Sequence, residues 1–179
     1  MHIFLDTEYT DEEVPFLISF GLVAGAAPVD TLYVELTDTW HRADCSPFVR
    51  ATVLPALMGG SYASDSTAAR VRVQAWVDAL PGEHEVVTDF PEIDMRLFRD
   101  WLGTSHWPKN LAASARRLDT AGLPAGEVRD AARDAIEQHQ QQWGAHNALA
   151  DADRLRTVYA AVIAAGCDPF GGAGPNRGR

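Results

Sequence analysis

Cysteine is scarce in this 179-residue chain: Cys45 and Cys167 are the only two, and they lie far apart. Their spacing matches no zinc motif, and a reduced, cytoplasmic chain is the simpler reading. Long apolar runs are missing too. No stretch of about 18 consecutive apolar residues occurs, so no membrane span is expected. The first residues lack the basic-then-apolar pattern of a signal peptide, and no internal repeat marks a solenoid. Positive charge is in deficit: 15 Lys and Arg stand against 25 Asp and Glu, for a net charge of −10. That balance argues against tight, non-specific gripping of many duplex phosphates. The arginines fall in small groups, among them Arg96/Arg99, Arg116/Arg117 and Arg154/Arg156, expected mostly on solvated helix faces.

What remains is ordinary for a globular domain, 46% hydrophobic and 22% charged. The length suits one domain with a sizeable core, placed at residues 1–167. Residues 168–179 are glycine-rich and are expected to form a disordered tail.

Apolar and β-branched runs predict strands over residues 2–6, 16–24, 30–36 and 85–88. Ser46-Pro47 reads as a helix start, a capping residue followed by proline at the first helical position. That helix should be short, ending near Pro55 or Gly59. Further helices are expected over 66–80, 93–102, 127–142 and 147–165, with Gly166 closing the last. The irregular stretch 104–124 is expected to hold one short helix around 111–118. Three strands first, then helices interleaved with one more strand, indicate an α/β domain. Its sheet is mixed, the first three strands forming an antiparallel meander, with helices on both faces.

Chemistry is concentrated in carboxylates that cannot avoid the interior. Asp6 and Glu8 lie two apart at the end of the first strand, so both project from one face. Their mutual repulsion costs free energy unless a cation lies between them, and a divalent metal is the simplest such cation. In the last helix, Leu155, Val158 and Val162 form an apolar stripe, and four residues before Leu155 stands Asp151. Asp153, about 200° round the helix from Asp151, should face outward. The helix after the fourth strand repeats the pattern, with Asp94 heading the stripe of Leu97, Phe98 and Trp101. Asp89, at the end of the preceding strand, is the rival in this region. Aspartates in a first helical turn are commonly caps, so the case rests on three separate segments aiming carboxylates inward. His146 precedes Asp151 by five residues, and an imidazole beside such a cluster suits the removal of a proton from water.

In order, Asp6-Thr7-Glu8, Asp94, and His146 with Asp151 resemble the three motifs of the DEDDh family of 3′→5′ exonucleases, which have an RNase H-like fold. Within it the chain looks most similar to small bacterial and phage-type exoribonucleases related to RNase T. Leu17-Ile18-Ser19-Phe20-Gly21, Phe48-Val49-Arg50 with Val53-Leu54-Pro55, and the surroundings of His146 carry that likeness. The chain departs from the pattern at 89–93, where the common His-Asn lead-in is absent, and at Ser19, where many relatives have glutamate.

The resemblance implies that Asp6, Glu8, Asp94 and Asp151 hold two Mg²⁺ or Mn²⁺ ions and that His146 is the general base. The expected substrate is the single-stranded 3′ end of RNA, with DNA as a further candidate, and a homodimer is expected from the habit of relatives. Thr7, Tyr9 and Phe16 are the candidates for contact with the terminal sugar or base, with Phe90 a further aromatic. The alternative expectation is a catalytically silent nucleic-acid-binding or scaffolding domain of the same fold.

Overall fold

The computed structural model describes residues 1–25, 29–119, 123, 126–143 and 146–170. Its centre is β1 (His2–Tyr9), which pairs antiparallel with β2 (Leu17–Ala24), which in turn pairs antiparallel with β3 (Thr31–Leu36). The expected meander is present. Two short helices follow, α1 (Pro47–Ala51) and α2 (Val53–Ala56), then a two-residue strand β4 (Ala63–Ser64) on the outer edge of β3. Ser46 caps α1 by accepting from the Val49 amide at 3.1 Å, and proline fills the first position.

The chain then alternates through α3 (Ser66–Ala79), β5 (His84–Thr88), α4 (Asp94–Leu102) and β6 (Leu111–Arg117), and closes with α5 (Glu127–Trp143) and α6 (Ala148–Ala164). The sheet order is β4-β3-β2-β1-β5-β6, with β5 parallel to both β1 and β6. This mixed six-stranded sheet flanked by helices is an RNase H-like arrangement. No helix among the described residues is long and apolar enough to cross a membrane.

One element differs in kind from its expectation. Residues 111–117 form a strand, not a helix. The alanines favour helix, but the free edge of β5 offers a ladder, and parallel pairing of Leu111, Ala115, Arg116 and Arg117 with that edge overrides the local preference. A smaller difference concerns β1, which continues to Tyr9, so Asp6 and Glu8 are strand residues with a register shift just after Glu8.

Strand alternation separates two cores. Ile3 and Leu5 join Phe20, Leu22 and Val34 under α3 and α4, where Val73, Val77, Phe98 and Trp101 pack. Phe4, Val23 and Val87 face the other way, under α6, and meet Leu155, Val158 and Val162. The apolar stripe of α6 is thus buried as its spacing predicts. Cys45 and Cys167 are both free. The expected tail falls mainly on 171–179, outside the described residues. Just before it, Phe170 is ordered against Tyr159 and His2, with the Arg116 guanidinium 3.8 Å from its ring centre.

Candidate metal centre

Parallel pairing of β1 with β5 brings Asp6 beside Asp89, just past the end of β5. The C-terminal edge of neighbouring parallel strands is where α/β folds place their sites. Asp6 and Glu8 share the face of β1 covered by α6, which adds Asp151 from its first turn. Thr7 looks to the opposite face, toward the start of α4. The Thr7 hydroxyl donates to Asp94 Oδ1 at 2.6 Å, and the Thr88 hydroxyl donates to Asp94 Oδ2 at 2.5 Å. Asp94, only 4% exposed, is thereby locked in one orientation.

The carboxylates fall into two overlapping groups. Single oxygens of Asp6, Glu8 and Asp151 all lie within 4.8 Å of one another, and so do oxygens of Asp6, Asp89 and Asp94. Asp6 belongs to both. The electrostatic consequence is large. Burial, then the charges of Asp94, Glu8, Asp151 and Asp89, hold the Asp6 carboxyl well above the usual range. Burial, then Asp151 and Asp94, push Glu8 up to about 8. Burial likewise raises Asp94 to about 6, although the two threonine hydroxyls pull against that rise and Asp89 adds to it. Carboxylates whose charge is opposed first by burial and then by one another are a fit for cations. An all-oxygen donor set of this kind suits hard divalent ions such as Mg²⁺ or Mn²⁺.

A cavity of about 710 Å³ opens over the cluster, walled by Glu8, Tyr9, Phe48, Phe90, His146 and Arg154 among others. His146 occupies it through a specific backbone arrangement. Its φ is +65°, the left-handed region that non-glycine residues seldom adopt. The Asn147 side chain caps α6 by accepting from the Leu149 and Ala150 amides, and the His146 amide donates to Asp151 Oδ2 at 3.0 Å. The His146 ring stands edge-on to Phe48 of α1, with ring centres 5.0 Å apart. One short segment therefore fixes the histidine and the carboxylate together.

The seating of α6 depends on Gly21, which pairs with Asp6 across the β1–β2 ladder. A Cβ on Gly21 would lie 2.3 Å from the Ala148 carbonyl oxygen, so only glycine lets the helix start come this near the sheet.

No protein-family model matches this chain, and no curated protein matches it.

The structure brings Asp6, Glu8, Asp94, Asp151 and His146 together around this cavity. Asp89 is not merely a rival to Asp94, because both share a group with Asp6. Of the three candidates for sugar or base contact, Tyr9 lines the cavity. Thr7 also reaches its wall, but its hydroxyl is committed to Asp94. Phe16 is 42% exposed and lies off the wall, while Phe90 and Phe48 stand on it.

Arg154 departs from its expected place on a solvated face. Its Nε donates to Asp151 Oδ1 at 3.1 Å, and its Nη2 lies 3.5 Å from Asp89 Oδ2. The spacing of Asp151 and Arg154, three apart on one helix, was the available signal. Asp153 also departs from expectation: it turns toward α5, where it meets the buried His139 at 3.4 Å and Arg156 at 2.6 Å.

Proposed function

We propose that this chain is a divalent-metal-dependent 3′→5′ exonuclease that removes nucleoside 5′-monophosphates from single-stranded 3′ ends, with RNA as the preferred substrate. The observation that supports it most is the sharing of Asp6 between two carboxylate triplets, with His146 on the wall of the same cavity. Asp6, Glu8 and Asp151 would hold one Mg²⁺ or Mn²⁺ ion, and Asp6 with Asp94 and Asp89 the other. Bound there, two such ions supply charge stabilisation to the attacking and leaving oxygens of a phosphodiester displacement.

The chain's own residues account for the remaining requirements. The His146 imidazole is placed to accept a proton from the attacking water, a role that contributes about 10²–10⁴-fold in comparable sites. Its edge-on contact with Phe48 and its fixed backbone restrict where the ring can point. Thr7 and Thr88 orient Asp94, and Asn147 anchors the turn that carries His146. Tyr9, Phe48 and Phe90 offer aromatic surface for a terminal base, and stacking of this kind is worth about 1–3 kcal/mol per base. A second copy of the chain is the proposed source of further basic residues for the strand, in keeping with the resemblance.

The test is hydrolysis of a labelled single-stranded oligonucleotide with Mn²⁺. Release of mononucleotide should vanish in Asp6→Ala and fall steeply in His146→Ala, while His146→Ala keeps its affinity for Mn²⁺. Activity retained in both variants would rule out the assignment.

A further inference from the structure

Arg154 is a cation set into a site built to receive other cations. Eight acidic residues line the cavity, and Arg154 is its one Lys or Arg among the described residues. Its side chain is 20% exposed, so its charge is incompletely hydrated and relies on its partners. Those partners are divided in a particular way. Asp151 belongs to the carboxylate group with Glu8, and Asp89 belongs to the group with Asp94. The guanidinium therefore spans both groups, touching one member of each and leaving Asp6, the shared member, to neither contact.

We propose that Arg154 is an internal counter-cation of the cluster, a positioning residue that holds Asp89 and Asp151 in place and competes with divalent ions for them. This rests on the metal-binding reading above and deepens it. Guanidinium geometry matches the task, since a planar fork can present separate N–H donors to two carboxylates. A divalent ion entering either group meets a fixed positive charge a few ångströms away, which weakens its binding by simple repulsion. The same charge stabilises the cluster before metal arrives. Arg154 thus trades metal affinity for a preformed site.

The discriminating experiment is calorimetric titration of Mn²⁺ into wild type, Arg154→Gln and Arg154→Lys, with thermal unfolding of each protein in a chelator. Arg154→Gln should bind Mn²⁺ about tenfold more tightly and melt at a lower temperature in the chelator, with added Mn²⁺ restoring most of the difference. Arg154→Lys keeps the charge and should bind Mn²⁺ as wild type does. Unchanged or weaker binding in Arg154→Gln would overturn the proposal, and so would a lysine variant whose Mn²⁺ affinity rises as the glutamine one's does. Failure of wild type itself to bind Mn²⁺ would overturn the metal-binding reading along with it, which keeps the two failures distinct.

Discussion

Gly21 lies directly beneath Ala148, so close that a methyl group on its Cα would sit 2.3 Å from the Ala148 carbonyl oxygen. This contact joins the strand opposite Asp6 to the start of the helix that carries Asp151. Gly21→Ala must push α6 off the sheet. Overpacking of a buried contact against backbone costs about 1–3 kcal/mol, and the upper end is expected because a carbonyl cannot rotate away as a side chain can. Chemical denaturation should register that loss, and Mn²⁺ binding should weaken at the same time. Full stability with full metal binding would show that the close approach is not needed.

The carboxylate cluster sets a pH dependence whose sign follows from the direction of its shifts. Unfolded, Glu8 and Asp94 titrate near pH 4, the ordinary range. Folded, they titrate at about 8 and about 6. The native state therefore holds more protons than the unfolded state between about pH 4 and about pH 8, and stability falls as pH rises through that window. Metal-free protein should accordingly melt at lower temperature near pH 8 than near pH 5. Metal binding displaces those protons, so the rise in Tm on adding Mn²⁺ should grow over the same range. A metal-free Tm that climbs with pH from 5 to 8 would contradict the arrangement.

Thr88 and Thr7 each satisfy a separate oxygen of Asp94. Thr88→Val keeps the shape and removes the donor to Asp94, together with the acceptor of the Phe90 amide, whose loss is the same at any pH. Hydrogen bonds to charged groups contribute about 1.5–3 kcal/mol, so a loss of about 2 kcal/mol is expected near pH 8, where Asp94 is ionised. Near pH 5 Asp94 is protonated and the loss should shrink. Urea unfolding at the two pH values measures this difference, and an equal cost at both would speak against a role in holding the ionised carboxylate.

The sequence made much of this cluster legible because two of its carboxylates sit on strongly periodic helices. The stripe of Leu155, Val158 and Val162 pointed to Asp151, and that of Leu97, Phe98 and Trp101 pointed to Asp94. What it hid was decided by tertiary contact. Residues 111–117 carry helix-favouring alanines, and only the open edge of β5 makes them a strand. Arg154 read as a solvated arginine because one of its two partners, Asp89, is 65 positions away, and only the spacing to Asp151 on the same helix was local. Phe16 is a candidate for base contact in the sequence, but its amide donates to the Thr10 hydroxyl and the residue lies partly exposed, off the cavity wall.

The most direct measurement compares 3′-labelled and 5′-labelled single-stranded RNA of one sequence, incubated with the purified protein and Mn²⁺, alongside a mononucleotide ester. The account predicts immediate release of labelled mononucleotide from the 3′-labelled strand and stepwise shortening of the 5′-labelled one. It predicts little turnover of the ester, and loss of all activity in chelator and in Asp6→Ala. Mn²⁺-dependent stabilisation with no cleavage of any strand would contradict it and identify a silent binding domain instead.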